Sequence, residues 1–142
     1  MYDLTEYLNY GGENLLTVRV DASTEEGWYY EGAGIYRDVW LDKMSQVHVA
    51  PFGTFITTRI DRSYQTADVN IEVCLANKGL EAAGCKVVNR ILDATGKEVV
   101  RTQESSTTLA PKQEEVKLLQ SATMDNIHLW DLEHPYLYTL YT

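Results

Sequence analysis

Glu25-Glu26 and Glu114-Glu115 are the residue types with the most obvious chemistry in this 142-residue chain, because neighbouring carboxyl groups can serve as general acid and general base. With 21 acidic residues such neighbours arise easily, and surface carboxylates are ordinarily solvated, so the solvated reading is preferred. His48, His128 and His134 stand far apart, and none has a partner at metal-ligand spacing. Cys74 and Cys85 are too few for a disulfide scaffold and lack company for a metal site, so no metal and no cofactor is expected. Gly32-Ala33-Gly34 could open a dinucleotide loop, but the third glycine of that pattern falls at Arg37 and no helix pattern follows. A bend fits better: two glycines turn the chain without Cβ clashes, and Ile35, Val39 and Leu41 then resume an apolar alternation. Trp28, Trp40 and Trp130, with ten tyrosines, offer flat faces for stacking, though such rings more often pack in cores or between domains. Packing is the reading for Trp130 and Tyr138, while Trp28, Tyr29 and Tyr30 stay open. Arg37 and Asp38 are adjacent, so in a strand they point to opposite faces and do not pair.

The elements that would hold these residues are strands. "ADVNIEVCLAN" sets Val69, Ile71, Val73 and Leu75 toward a core, and Asn70, Glu72 and Cys74 away from it. It ends at the turn signal Asn77-Lys78-Gly79. "CKVVNRILDATGKEVV" reads as two strands joined at Asp93-Ala94-Thr95-Gly96, where Asp bonds the backbone ahead and Gly takes positive φ. "NLLTVRVD", "RDVWLDKM", "TFITTRID" and "EEVKLLQSA" add short β-like runs, and no 3.6-residue apolar repeat is sustained. Pro51 and Gly53 are expected to punctuate a connection, and the composition changes near Ser45. The chain thus reads as all-β, an antiparallel sandwich burying alternate residues between its sheets. Cys74 and Cys85 are expected on different sheets and unpaired.

The net charge of −9 repels phosphate backbones and anionic lipid surfaces, so nucleic acid is a poor partner. No apolar run approaches the ~20 residues of a membrane helix. Met1 to Asn14 carries Asp3, Glu6 and Glu13 instead of a basic start and apolar centre, so no signal peptide is read. Bacterial cytoplasm and periplasm both stay open.

"WYYEGAGIYRDVWL", with "GGENLLTVRVDAS" upstream, resembles the stretch that closes the sugar-binding jelly-roll domain of glycoside hydrolase family 2 enzymes, the group of β-galactosidases, β-glucuronidases and β-mannosidases. Asn14, Leu16, Val18, Val20, Trp28, Gly32, Gly34, Ile35, Tyr36, Arg37, Val39 and Leu41 carry the match. "LWDLEHPYLYTLY" resembles a late strand of the immunoglobulin-like domain that follows in these enzymes, matched at Leu129, Trp130, Pro135, Leu137, Tyr138 and Leu140. The resemblance implies that residues 1–45 are the C-terminal part of a jelly roll. Residues 46–142 would be an immunoglobulin-like β-sandwich whose last strand is missing, with "VHVAPFGTFITT" as linker and first strand.

In the resembling family the acid and the nucleophile, ~5 Å apart in retaining enzymes, come from a downstream (β/α)₈ barrel. Such a barrel takes roughly 250 residues, so this chain cannot hold that site. The expectation is a non-catalytic part of a retaining β-galactosidase-like enzyme, with no catalytic residue of its own. The catalytic barrel would be its partner, and a terminal β-glycoside its indirect substrate. Some galactose-acting relatives place an acidic residue before the Trp near the sugar, which makes Glu25, Glu26 and Trp28 substrate-binding candidates. The family strand holding Arg37 lies where domains meet, which makes Arg37 an interdomain candidate, with a solvated arginine as the competing reading. A stand-alone immunoglobulin-like interaction or carbohydrate-binding module is the alternative. Residues 14–41 or 136–142, left with open strand edges, are expected to lend a strand to a second copy.

Overall fold

The computed structural model describes residues 1–21 and 34–142. They fall into two compact units, Met1–Asp42 and Lys43–Thr142. Among its described residues the first unit holds one 3₁₀ turn, Thr5–Tyr7, entered by Asp3, whose Oδ1 accepts from the Thr5 amide at 3.0 Å and the Thr5 hydroxyl at 2.6 Å. Asn14 fastens the turn that follows: its Oδ1 accepts from the Asn9 amide at 2.7 Å and its Nδ2 donates to the Asn9 carbonyl at 3.0 Å.

The second unit is all-β and antiparallel. Its strands are β1 (Val47–Ile60), β2 (Thr66–Asn77), β3 (Ala83–Val87), β4 (Arg90–Leu92), β5 (Glu98–Arg101), β6 (Ser105–Leu109), β7 (Val116–Asp125) and β8 (Thr139–Tyr141). One layer has the order β1-β2-β7; the other comprises β3-β6 and β5-β4-β8. Between them lies a core of Val69, Ile71, Val73 and Leu75 from β2 with Val87, Ile91, Leu109 and Met124. That is an immunoglobulin-like sandwich, and the alternation in β2 is what lets one of its faces fill the interior.

Two tight turns act as hinges of the ladder and are built by aspartates. Between β1 and β2, the Asp61 carboxylate accepts from the amides of Ser63, Gln65 and Thr66 at 3.0–3.1 Å and from the Ser63 hydroxyl. The Ser63 hydroxyl above all, and then the Thr66 amide, hold its carboxyl well below the usual carboxylate range. Between β4 and β5, Asp93 Oδ1 accepts from the Thr95 hydroxyl at 2.6 Å and the amides of Thr95 and Lys97, and Gly96 takes φ +85. The hairpin expected at Asp93 to Gly96 is therefore present.

Three expectations are corrected. Cys74 does not face solvent: it is buried, as is Ala76, although both lie on the face of β2 opposite the core. Opposite Cys74, in β1, Pro51 and Gly53 do not end a connection but sit inside the strand. Val49 pairs with Leu75 and Thr54 with Val73, so four residues, Ala50 to Gly53, bulge opposite the single residue Cys74. Finally, the runs 14–21 and 37–44 are not strands. Their apolar side chains are exposed, Leu15, Val18, Trp40 and Leu41 among them. Period-two alternation makes a strand only where a neighbouring ladder takes up the backbone donors and acceptors, and among the described residues none lies alongside.

Candidate functional site

Glu25, Glu26, Trp28 and Gly32, the sugar-facing candidates and the first glycine of the bend, lie outside the described residues. The bend is described from Gly34 onward. Gly34 has φ +153 and open space where a Cβ would stand. Ile35 and Tyr36 are exposed, and the Arg37 guanidinium lies 5.3 Å from the centre of the Tyr36 ring, a cation–π contact within one loop.

The second motif forms a turn followed by a short strand. Asp131 Oδ1 accepts from the amides of Glu133 at 2.8 Å and His134 at 2.6 Å, with His134 Nδ1 at 3.3 Å. Pro135 follows, where its fixed φ and missing N–H suit the exit from a turn. Tyr138 packs against the core, and its hydroxyl accepts from the His128 amide at 2.9 Å. Tyr136 stacks between His128 and Tyr138, at centroid distances of 4.8 and 5.1 Å, and its hydroxyl accepts from the Ala94 amide at 3.3 Å. Tyr138 is thus the packing residue that the sequence suggested. Trp130 is 55% exposed in this chain and Leu137 is exposed as well, which leaves for Trp130 the packing between domains that the sequence also allowed. Leu140 enters the core from β8, whose residues Thr139, Leu140 and Tyr141 pair with Leu92, Ile91 and Arg90.

Several carboxylates of the sandwich are committed to structure. Glu98 accepts from Arg101 Nε at 2.7 Å and Arg90 Nε at 2.5 Å, and these two guanidinium groups, Arg101 first, lower its pKa to about 2. Glu72 pairs with Lys117, and Glu104 with Lys86, and each raises the pKa of its lysine. Glu114, from the second adjacent pair, meets Lys78 at 3.1 Å. Wherever a described carboxyl is displaced, the displacement is downward, toward permanent ionisation, the reverse of what a general acid needs. Among the described residues no three His, Cys, Asp or Glu side chains gather as a metal site requires. Cys74 and Cys85 are free thiols.

Sequence reasoning missed a buried polar network. Asn89 Nδ2 donates to Gln120 Oε1 at 2.5 Å, while Asn89 Oδ1 accepts from the Thr142 hydroxyl at 2.6 Å. Gln120 Nε2 donates to the carbonyls of Gln103 and Val87 and to Ser105 Oγ. Asn77 ties the Glu81 and Ala110 carbonyls at 2.8 and 3.0 Å. Every polar atom in this network is partnered, so it fixes which loops meet without leaving an orphan.

Residues 47–142 match the family model described as Glycosyl hydrolases family 2. The chain is 41% identical over 142 residues to the Beta-galactosidase BoGH2A of Bacteroides ovatus, an alignment covering 99% of this chain and 16% of that protein. A Beta-galactosidase of Thermoanaerobacter pseudethanolicus is 31% identical, with 98% and 19% covered. The chain therefore spans less than a fifth of the length of these curated relatives. Among solved structures, a glycosyl hydrolase family 2 member from Bacteroides cellulosilyticus superposes with a TM-score of 0.60 at 28% identity, covering 67% of this chain and 13% of that one. A family 2 beta-glucuronidase gives 0.63 at 21% identity, over 68% and 11%, a likeness of fold.

Proposed function

Since the chain belongs to glycosyl hydrolases family 2, we propose that it is the non-catalytic spacer of a retaining, β-galactosidase-like enzyme that removes terminal β-glycosides. The observation that carries this reading is the alignment over 99% of the chain with a beta-galactosidase of which it is 16%. On this reading residues 1–45 are the end of a sugar-binding jelly roll and residues 46–142 the immunoglobulin-like domain. The exposed apolar residues of the first unit, such as Leu15, Ile35 and Leu41, are then the faces that the rest of the jelly roll covers. The acid and the nucleophile belong to a barrel elsewhere in the parent, which this sandwich orients. Its packed core and fully partnered buried polar atoms suit that task, because misplacing a reacting group by an ångström costs on the order of a hundredfold in rate. Glu25, Glu26 and Trp28 are proposed as sugar contacts from the jelly-roll side, and Arg37 as an interdomain contact. We further propose that the isolated chain associates with itself through its open strand edges.

The test is a graft. This chain replaces the aligned segment of the Bacteroides ovatus beta-galactosidase, and an aryl β-galactoside is offered to the chimaera and to the 142-residue chain alone. The chimaera is expected to keep kcat/KM within about tenfold of its parent. The chain alone is expected to turn over nothing above a heat-killed control. A chimaera that folds but does not hydrolyse, or turnover by the chain alone, would overturn the reading.

A further inference from the structure

Of the two aromatic residues with left-handed backbone, Phe52 and Tyr64, Phe52 is the more exposed. Phe52 has φ +57 and is 96% exposed. The left-handed region brings Cβ against the following carbonyl, and an aromatic residue there is a true outlier. The bulge around it is closed by Gly53, where a Cβ would stand 2.6 Å from the Ala50 carbonyl oxygen and 2.9 Å from that of Cys74. The backbone of the bulge is thus pinned, and it holds Phe52 out in solvent.

The surroundings add a second observation. In the ladder Phe55 stands beside Glu72, and Glu72 beside Leu119, all on the face of the β1-β2-β7 layer opposite Ile71. Phe55 and Leu119 are both exposed, so two apolar side chains flank Glu72 one step along the ladder from the bulge. Lys117 Nζ lies 2.7 Å from Glu72, so the charge at the centre of this strip is already paired. Covering the strip would strand no lone charge.

We propose that Phe52 is the anchor by which this sandwich docks on the remainder of its parent polypeptide, the ring entering an apolar pocket there, with Phe55 and Leu119 of the same layer as flanking contacts. The proposal rests on the parent reading above. The occupant is argued from length: the relatives align over 99% of this chain yet hold it as 16% of themselves, so a tethered partner several times larger is present at high effective concentration. Aromatic side chains, Phe among them, are enriched at interfaces relative to the rest of a protein surface. Strain kept at such a position marks function over stability.

Phe52→Asn tests this, because Asn accepts the left-handed region without the unfolded-state entropy of Gly. The variant is made in the 142-residue chain and in the hydrolysing chimaera. In the chain alone its melting midpoint is expected to rise by about 2–6 °C as strain is relieved. In the chimaera the half-life at a fixed inactivating temperature is expected to fall by about tenfold or more, as the anchor is lost. The same sign in both contexts would overturn the proposal. So would loss of self-association by the 142-residue variant in sedimentation velocity, which would make the occupant a second copy. An inactive unsubstituted chimaera would instead remove the parent reading, and this inference with it.

Discussion

Glu98 shows how one side chain settles a local conflict. Arg90 and Arg101 are directly opposite each other on β4 and β5, where like charges repel, and the Glu98 carboxylate bonds both. Its folded pKa of about 2 lies below the ordinary glutamate value of 4.5, so its contribution to stability is fully present above pH ~4.5 and is lost as pH falls toward 2. Glu98→Gln should therefore lower the melting midpoint at neutral pH and make it fall less steeply between pH 4.5 and 2, which calorimetry across that range checks. Asp61 and Asp93 still titrate low, so some slope should remain. Tyr64, at φ +57 in the turn after β1, is strained as Phe52 is, and Tyr64→Asn should raise the midpoint by about 2–6 °C. The turn at Asp93 to Gly96 was legible because Asp and Gly leave a residue-type signal at fixed offsets, whereas the Asp61 turn, which has no glycine, was not read. Nor were Phe52 and Tyr64, because aromatic residues in left-handed backbone contradict every local preference.

At the scale of the element, β2 is the strand on which both the reading and the fold turn. Ile71 has no exposed surface, whereas Glu72 next to it makes a surface pair with Lys117. Ile71→Ala should cost ~2–5 kcal/mol in urea denaturation and Glu72→Ala less than about 1 kcal/mol; similar costs would mean that the face assignment is wrong. The alternation of β2 gave the core face from sequence alone. Its far end hid the burial of Cys74, because the bulge that lies opposite it comes 20 or more residues earlier. The runs 14–21 and 37–44 erred the other way: they alternate as strands do, but alternation reports a face, and pairing needs a neighbour. The Asn89–Gln120 network was invisible since its members are 31 residues apart and sit in otherwise apolar stretches.

At the scale of the molecule, several strand edges are unpaired among the described residues. Among the described residues β1 pairs only with β2, and β8 only with β4. Ile56 and Ile60, on the core-facing side of β1, are nearly half exposed, while Ile71 in the same row as Ile56 is fully covered. Unpaired edges next to bare isoleucines favour strand exchange, so sedimentation velocity should find dimers of the 142-residue chain at high micromolar concentration and monomers after Ile56→Lys. A monomer throughout would sink the self-association reading. The β1-β2-β7 layer also carries an order in time. β1 and β2 zip from a five-residue turn, Ile60 against Ala67 first, whereas β7 must close a loop of some fifty residues to set Ala122 beside Val69. Loop closure is entropically slow, so the hairpin should form the nucleus and β7 should join on the downhill side of the barrier. In a chevron experiment Val69→Ala should slow folding, and Met124→Ala should chiefly speed unfolding.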